Sequence, residues 1–277
     1  MTDANARFVG SIPENYDRYL GPVLFEPYAR DLARRVPVKE GTRMLEVACG
    51  TGIVTRHLRG RLPPGGRFVA TDLNPPMLDL ARRKVEGVRG IEWQTADACT
   101  LPFPDGSFDV LVCQFGLMFV PDKPAALKEA RRVLAPDGTF LFSVWDSLER
   151  NAFAKKAHET IAGFFPDNPP TFYQVPFSLH RTDILTEMLA DADFADVRVE
   201  AVSMQGESPS SHDLARGLVE GNPVGTAIRE RGGLDVDEVI EAVARVLAAE
   251  FGDRPTRVPL HAFVLTAGAG TARTQKR

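Results

Sequence analysis

Two closely spaced glycines carry the first sign of chemistry in the sequence. Residues 45–52 (LEVACGTG) run from an apolar stretch into Gly50 and Gly52, and a helical pattern of apolar residues follows at once. A turn of this kind lets a ligand approach the backbone closely and directs helix N–H groups at a polar or negative group. Because many ordinary strand–helix turns also contain Gly-x-Gly, the turn alone does not establish a site.

Two aspartates place further polar groups at the same edge of the expected sheet. Asp72 ends the second apolar run, about 20 residues after the glycines, where a carboxylate can accept both ribose hydroxyls of a nucleotide. Asp97 follows the third run. Either residue could be a solvated loop residue or a helix cap. Three successive strand ends bearing Gly-x-Gly, Asp and Asp are hard to explain as caps, and they predict one ligand crevice.

A third carboxylate bears on which ligand this crevice holds. A dinucleotide site requires G-x-G-x-x-G, but the third glycine position is Thr55. Glu46, four residues before Gly50, would repel a pyrophosphate and would attract an ammonium or sulfonium group, directly or through water. The charges therefore favour S-adenosylmethionine over NAD.

The elements that must position these residues alternate between strands and helices. Apolar runs of strand type are predicted at residues 44–48, 67–71, 91–96, 108–114 and 139–145, with further strands near 197–204 and 257–266. Asn74 and Asp122 are expected to cap helices between the runs. Alternation of this kind predicts an α/β fold with a doubly wound, Rossmann-like, mostly parallel seven-stranded sheet with helices on both faces.

Five segments in this order resemble the class I S-adenosylmethionine-dependent methyltransferases, in particular the small-molecule enzymes of the ubiquinone- and menaquinone-biosynthesis type. The segments are residues 45–52 (LEVACGTG), 72–74 (DLN), 97–98 (DA), 108–112 (FDVLV) and 134–138 (LAPDG). Residues 15–22 (NYDRYLGP) also resemble the family's cofactor-covering segment. The resemblance covers roughly residues 40–146 and implies transfer of a methyl group from the cofactor to a small molecule.

The resemblance implies a role for each matching residue at the glycine turn and the second strand. Gly50 and Gly52, with Ala48 and Glu46 of the same segment, would lie at the methionine part of the cofactor. Asp72 would hold the ribose hydroxyls. Leu73 and Met77 would pack on the adenine faces.

The remaining expected cofactor contacts come from three other parts of the chain. Asp97 would accept a hydrogen bond from the adenine amino group, and Ala98 would lend its backbone N–H to the ring. Gln114 would meet the methionyl part and the incoming substrate. Tyr16 and Tyr19 would close over the cofactor, although both tyrosines could equally be packing residues of an amphipathic helix.

No catalytic dyad is visible in the sequence, and methyl transfer requires a general base only where the acceptor must lose a proton. His158, His180 and Tyr173 are the candidates for that role, and isolated histidines more often lie at the surface or in packing. Two rival functions remain open: an NAD-dependent oxidoreductase, which lacks the third glycine here, and a non-catalytic S-adenosylmethionine-binding sensor.

The chain is expected to form one cofactor domain with a helical lid made by insertions. The expected parts are residues 1–146 (N-terminal helical cover and cofactor core), 147–181 (lid insertion), 182–206 (core helix and strand), 207–255 (helical insertion with two helices), 256–268 (final strand) and 269–277 (flexible tail). The first insertion is rich in Phe and Pro. Most of its rings, such as Phe172 and Phe177, are expected to pack as a cap on the core, and some could line a pocket for an apolar or aromatic acceptor.

Composition excludes several other classes of protein. The 277 residues are 44% hydrophobic and 25% charged with a net charge of −4, as in an ordinary globular protein without the basic patch of a nucleic-acid binder. Two Asn-Pro-Pro runs, at residues 74–76 and 168–170, lack the position and the aromatic residue of an amino-methylating DNA enzyme. No signal peptide, membrane span, metal site or CxxC pair is evident, so we expect a cytoplasmic protein with reduced cysteines and a small-molecule substrate.

Overall fold

One seven-stranded sheet forms the centre of the computed structural model, which describes residues 4–270. Its strands are β1 (Arg43–Val47), β2 (Arg67–Asp72), β3 (Glu92–Thr95), β4 (Phe108–Gln114), β5 (Leu134–Trp145), β6 (Ala195–Ser208) and β7 (Thr256–Gly268). The strand order is β3-β2-β1-β4-β5-β7-β6. All pairs are parallel except those of β7, which runs antiparallel to both β5 and β6. The predicted seven-stranded, mostly parallel, Rossmann-like α/β fold is thereby confirmed.

Helical segments connect these strands and cover them. The α-helices are α1 (Ile12–Asn15), α2 (Glu26–Arg35), α3 (Ile53–Arg61), α4 (Pro75–Lys84), α5 (Lys123–Val133), α6 (Ala152–Gly163), α7 (Thr182–Asp191), α8 (Ser211–Glu220), α9 (Val224–Arg231) and α10 (Val236–Phe251). A π-helix, Tyr16–Phe25, joins α1 to α2, and short 3-10 turns occur at Ala4–Ala6, Leu117–Phe119 and Phe172–Gln174.

The order of the strands places a crevice between β1 and β4. From β1 the chain proceeds outward to β2 and β3, and it then returns to β4 on the other side of β1. Right-handed crossovers consequently place α3 and α4 on one face of the sheet and α5 on the other. Ligands of open α/β sheets bind at this reversal, beside the carboxyl ends of the strands.

Helices begin after both expected cap residues, but only Asp122 caps its helix through its side chain. Asp122 caps α5 through its Oδ1, which accepts the Ala125 N–H at 2.9 Å. Asn74 also precedes a helix, but its side chain makes no cap hydrogen bond. Instead its Oδ1 accepts the Phe8 N–H and its Nδ2 donates to the Ala6 carbonyl, both at 3.3 Å. Asn74 thus ties the N-terminal stretch to the end of β2.

Three boundaries differ from the sequence expectations. Strand β5 already begins at Leu134, because residues 135–138 form an irregularity in its pairing with β4 rather than a free turn. The stretch 207–255 holds three helices instead of two, since the Gly-Asn-Pro sequence at 221–223 separates α8 from α9. Ala269 is buried and donates to the Gly138 carbonyl at 2.8 Å, so the expected flexible tail does not begin there. Residues 271–277 of that tail lie outside the described residues.

Contacts between α2 and the far strand β6 hold the N-terminal helices on the sheet. The Tyr28 hydroxyl donates to the Val202 carbonyl at 3.1 Å, and Arg35 makes a two-pronged ion pair with Glu200 at 2.7 and 2.9 Å. Burial beneath α2 raises the pKa of the Tyr28 phenol. Across residues 4–270, none of the helices has the length and apolar character needed to span a bilayer.

Candidate cofactor and acceptor site

A cavity of about 490 Å³ opens at the carboxyl ends of β1 to β5. Gly50, Asp72, Asp97 and Gln114, from four successive strand ends, line one side of it. The sheet therefore brings together the residues that the sequence places at the crevice. We call this part of the cavity the strand-end side.

Asp72 has its carboxylate built into the glycine turn. One oxygen, Oδ2, accepts the Gly50 N–H at 2.8 Å, and Oδ1 accepts the Asn74 N–H at the same distance. Burial raises the pKa of this carboxyl group, and the hydrogen bonds oppose that rise. Each oxygen retains further acceptor capacity toward the cavity, so the group is placed to receive vicinal hydroxyls.

The glycine turn leaves room for a ligand at Gly50. Its φ is +57°, and a Cβ at this position would meet nothing within 4 Å, although the residue lines the cavity. A side chain here would therefore project into the cavity rather than into protein. Ala48 and Phe115, which follow β1 and β4, also have positive φ angles of 55° and 51° and line the cavity. Such strain in residues other than glycine is typical of functional sites.

The residues that follow β2 and β3 line the cavity with both apolar and polar side chains. Leu73 and Met77 line the cavity next to Asp72, as does Ala98 next to Asp97. Asp97 is exposed, and its Oδ1 accepts the Cys99 N–H at 2.8 Å. Apolar side chains and carboxylates thus lie next to one another on the strand-end side.

Three of the expected cofactor residues, Tyr19, Gly52 and Glu46, do not line the cavity. Tyr19 packs instead against α8, where a Cβ at Gly217 would lie 2.8 Å from the Tyr19 Cβ. The π-helix turns Tyr16, Leu20, Leu24 and Phe25 toward the cavity, and Tyr19 falls between these positions.

Gly52 has a packing role in this structure. It precedes α3 with φ +79°, and a Cβ there would lie 3.1 Å from the Cβ of Ala81 on α4. The residue thus permits the close approach of two helices, and it does not contact the cavity.

Glu46, the third of these residues, is buried inside β1 with 1% of its surface exposed. Its Oε2 has no hydrogen-bond partner among residues 4–270. Burial raises the pKa of Glu46 to about 8. Glu46 is therefore not the fixed negative charge beside the ligand that the sequence predicts, because at this pKa its carboxyl group is mostly neutral at pH 7.

The three candidates for a general base have other surroundings. His158 and His180 do not line the cavity; His158 lies against the Tyr173 ring, and the His180 Nδ1 pairs with the Phe177 carbonyl at 2.9 Å. Tyr173 does line the cavity, but its hydroxyl donates to the Leu218 carbonyl at 2.8 Å. Burial also raises the pKa of Tyr173, so its phenol stays protonated and does not act as a proton acceptor.

A continuous group of rings, which we call the aromatic wall, faces the strand-end side. Phe115 and Trp145 stack at 4.0 Å with 6° between their planes, and Phe25 lies within 6.3 Å of both. Tyr16 stacks on Phe25 at 4.6 Å. The wall consists of Phe8, Tyr16, Phe25, Phe115, Phe119, Trp145, Phe172 and Phe177.

Only some members of this wall can be predicted from the sequence. Phe172 and Phe177 lie in the Phe/Pro-rich insertion, where packing on the core is the expected role of most rings and lining a pocket is the alternative. Phe25, Phe115 and Trp145 come from three separated segments that look like ordinary core. Their convergence follows from the topology, and the position of Trp145 at the end of β5 was the one available signal.

The N-terminal segment is fastened over the glycine turn by Asp17. Its Oδ1 accepts the Thr51 hydroxyl at 2.7 Å and pairs with the Lys84 ammonium group on α4. The segment that supplies Tyr16 and Phe25 to the cavity is thereby joined to both the turn and α4.

Comparison with known proteins agrees with this geometry. Residues 45–142 match the family model described as a methyltransferase domain. A demethylmenaquinone methyltransferase of Lactobacillus johnsonii is 42% identical over 108 residues, which are 38% of this chain and 44% of that protein. One of Staphylococcus aureus is 36% identical over 135 residues, or 48% of this chain and 56% of that protein. The matching region thus spans about half the length of these relatives.

The fold also matches solved structures. Phosphoethanolamine N-methyltransferase 2 of Haemonchus contortus, solved with phosphomonomethylethanolamine and S-adenosylhomocysteine, superposes with a TM-score of 0.60 at 16% identity. The match covers 97% of this chain and 60% of that one. At this identity the likeness concerns the fold alone.

These matches give no support to the NAD-dependent oxidoreductase or to the non-catalytic sensor. They confirm the resemblance inferred from the motifs, and the cofactor that they indicate is S-adenosylmethionine. Residues 45–142 of this chain are thus similar to the methyltransferase domains of the class I, S-adenosylmethionine-dependent family.

Proposed function

We propose that this protein is a methyltransferase that moves a methyl group from S-adenosylmethionine onto a small apolar or aromatic molecule by in-line displacement. The observation that carries the proposal is that one cavity combines a strand-end side suited to the cofactor with an aromatic wall suited to the acceptor. When bound, the cofactor supplies an electrophilic methyl group on a sulfonium. The protein has to hold the acceptor in line and to exclude water.

Residues on the strand-end side hold the cofactor in this proposal. Asp72 binds the ribose hydroxyls, and Asp97 with the Ala98 N–H binds the adenine edge. Leu73 and Met77 pack on the adenine faces. The open space at Gly50 and Ala48 receives the methionine part, and Gln114, whose Oε1 is buried without a partner among the described residues, faces the junction with the acceptor.

The helices added to the sheet act as a lid over this cavity. The π-helix contributes Tyr16 and Phe25, the stretch 147–181 contributes Phe153, Phe172 and Tyr173, and the stretch 207–255 contributes Leu218 and Asn222. These side chains come from outside the sheet and surround the acceptor with rings. Exclusion of water by such a lid favours displacement at the sulfonium.

The acceptor is a neutral, planar molecule with an apolar body. Rings supply most of the wall, and the charged side chains that line the described cavity are the carboxylates of Asp72 and Asp97 on the strand-end side. The two relatives are named for a demethylated menaquinone, which makes naphthol-type molecules the first acceptors to try. The free thiols of Cys49, Cys99 and Cys113 agree with a cytoplasmic location.

Two measurements on the full chain test the proposal. Thermal unfolding is followed with S-adenosylmethionine, S-adenosylhomocysteine and NAD in parallel; a ligand at 100 times its Kd adds about 2.7 kcal/mol to the free energy of unfolding. We expect the first two to raise the Tm and NAD to leave it unchanged. Release of S-adenosylhomocysteine is then measured with naphthols, a histone-type protein and DNA. Stabilisation by NAD alone, or turnover only on protein or DNA, would refute the proposal.

A further inference from the structure

An amide from the connection between α8 and α9 faces the acceptor part of the cavity. Asn222 lines the cavity and is 7% exposed. Its Nδ2 donates to the Leu218 carbonyl at 3.1 Å. Its Oδ1 hydrogen-bonds to none of the described residues, and this oxygen remains partly accessible. An accessible hydrogen-bond acceptor therefore opens on a cavity walled by rings.

The Leu218 carbonyl fixes the orientation of this amide, because a carbonyl oxygen only accepts hydrogen bonds. The Leu218 carbonyl, near the end of α8, also accepts the Tyr173 hydroxyl at 2.8 Å. Rotating the Asn222 amide by half a turn would place two oxygens, Oδ1 and the Leu218 carbonyl, against each other. The amino group consequently stays on Leu218, and Oδ1 stays directed away from it.

Packing also holds the Asn222 backbone in place. A Cβ at the preceding Gly221 would lie 3.1 Å from the backbone of Tyr16, so the connection is pressed against the N-terminal segment. Tyr16 itself belongs to the aromatic wall. Asn222 is thus a rigidly placed polar group at the point where the 207–255 stretch meets the N-terminal segment.

We propose that Asn222 is a specificity-determining residue whose Oδ1 accepts a hydrogen bond from an O–H or N–H group of the methyl acceptor. The proposal rests on the methyltransferase function proposed above. An aromatic molecule that carries a hydroxyl or amino group satisfies this oxygen, whereas a halogenated or hydrocarbon analogue leaves it unpaired in a desolvated place. The aromatic wall favours a flat apolar acceptor molecule, and Asn222 favours those acceptors that carry an O–H or N–H group.

The test compares two probes of nearly equal size, 1-naphthol and 1-fluoronaphthalene. Their Kd values are measured by calorimetry on the full chain saturated with S-adenosylhomocysteine. The variants are Asn222→Leu, which keeps the branched shape of the side chain and removes the amide, and Asn222→Ala, which removes the amide without adding bulk. Gln174→Leu, the same loss of an amide at an exposed position of the 147–181 stretch, is the matched control.

We expect the preference for 1-naphthol over 1-fluoronaphthalene to fall by roughly tenfold in both Asn222 variants and to persist in Gln174→Leu. Unchanged S-adenosylhomocysteine affinity verifies that each variant is folded. An unaltered preference in either folded Asn222 variant would overturn the role of Asn222 and leave methyl transfer standing. Failure of the proposed function would instead appear as absent turnover by the wild-type protein, on which the ratio of binding constants does not depend.

Discussion

At the scale of single residues, the site depends on carboxylates whose surroundings differ sharply. Asp72 is buried but accepts two backbone N–H groups, whereas Glu46 is buried with one oxygen unpaired. Asp97 is exposed at the rim. From the sequence alone, all three carboxylates are expected to carry the same negative charge. Burial raises the pKa of Glu46 to about 8 and also raises the pKa of Asp72, where two backbone hydrogen bonds to the charged form oppose the rise.

Replacing Asp72 by Asn is expected to weaken S-adenosylhomocysteine binding by more than about tenfold, because one hydrogen-bond acceptor toward the ribose and the turn becomes a donor. Titration calorimetry measures the Kd. Asp79→Asn on the exposed side of α4, where the carboxylate pairs only loosely with Arg82 at 3.7 Å, is the control and should bind normally. Equal affinities of the two variants would contradict the ribose role of Asp72.

Glu46 makes stability depend on pH. Its pKa is raised from an ordinary 4.5 to about 8, so the folded protein holds this proton more tightly than the unfolded chain. The stabilisation by the proton is fully present below pH 4.5 and is lost as the pH rises toward 8. Over that interval the slope approaches about 1.4 kcal/mol per pH unit.

Urea unfolding of the wild type and Glu46→Gln between pH 5 and 9 isolates this contribution. Since Gln does not titrate, the free energy of unfolding of the wild type should fall relative to the variant as the pH rises. Parallel pH profiles for the two proteins would mean that Glu46 ionises normally.

At the scale of elements, the glycine turn and the π-helix meet at the cavity. The turn supplies open backbone at Gly50, and Asp17 fastens the π-helix to Thr51 beside it. A π-helix is a rare element that often occurs at functional sites. Here it changes which residues face inward, so that Tyr16 lines the cavity and Tyr19 does not.

Gly50→Ala and Gly41→Ala should have the same effect on stability and different effects on binding. Both glycines have positive φ, +57° and +73°, and neither would bring a Cβ within 4 Å of another group. Each substitution should cost about 1–2 kcal/mol for the left-handed conformation. Only Gly50 lines the cavity, so its variant alone should bind S-adenosylhomocysteine weakly. Comparable losses of affinity in both would show that strain, not occupied space, is responsible.

Asp17→Asn should speed the release of the cofactor product. The substitution removes the ion pair with Lys84 and weakens the bond from Thr51, which together hold the π-helix on the turn. We expect the dissociation rate of S-adenosylhomocysteine, measured by stopped-flow fluorescence, to rise roughly fivefold. Glu14→Gln, which breaks only the exposed 3.5 Å pair with Arg83, serves as control. An unchanged rate would imply that the segment does not open for release.

At the scale of the whole molecule, the last strand of the sequence, β7, lies inside the sheet. Strand β7 lies between β5 and β6, while β6 is the outer strand and pairs on one side only. Amide hydrogen exchange followed by mass spectrometry should therefore find β7 protected at least about tenfold more than the unpaired amides of β6. The short outer strand β3 should resemble β6. Rapid exchange throughout β7 would contradict its central position.

The strand–helix alternation could be predicted from the sequence because local apolar patterns determine it. Strand β4 has the predicted bounds, and the cap at Asp122 follows from a local side chain. The aromatic wall could not be predicted in full, since Phe25, Phe115 and Trp145 meet only through tertiary packing. Likewise, the polar role of Asn222 depends on its contact with Leu218 and on its place in the cavity. Nothing in the residues around it sets it apart.

The pairing of β6 with β7 bears on how far the stretch 209–255 can vary in length. Ser208 and Thr256 are register partners, so residues 209–255 leave and re-enter the sheet at adjacent positions of one antiparallel ladder. The entropic penalty of closing such a loop rises only slowly with its length. The stretch, which carries α8 to α10 and Asn222, is therefore joined to the sheet at one point of this ladder. Strands β4 and β5 separate that point from β1 to β3, whose ends carry Gly50, Asp72 and Asp97. We expect that a change in the length of the stretch leaves the order of these strands intact.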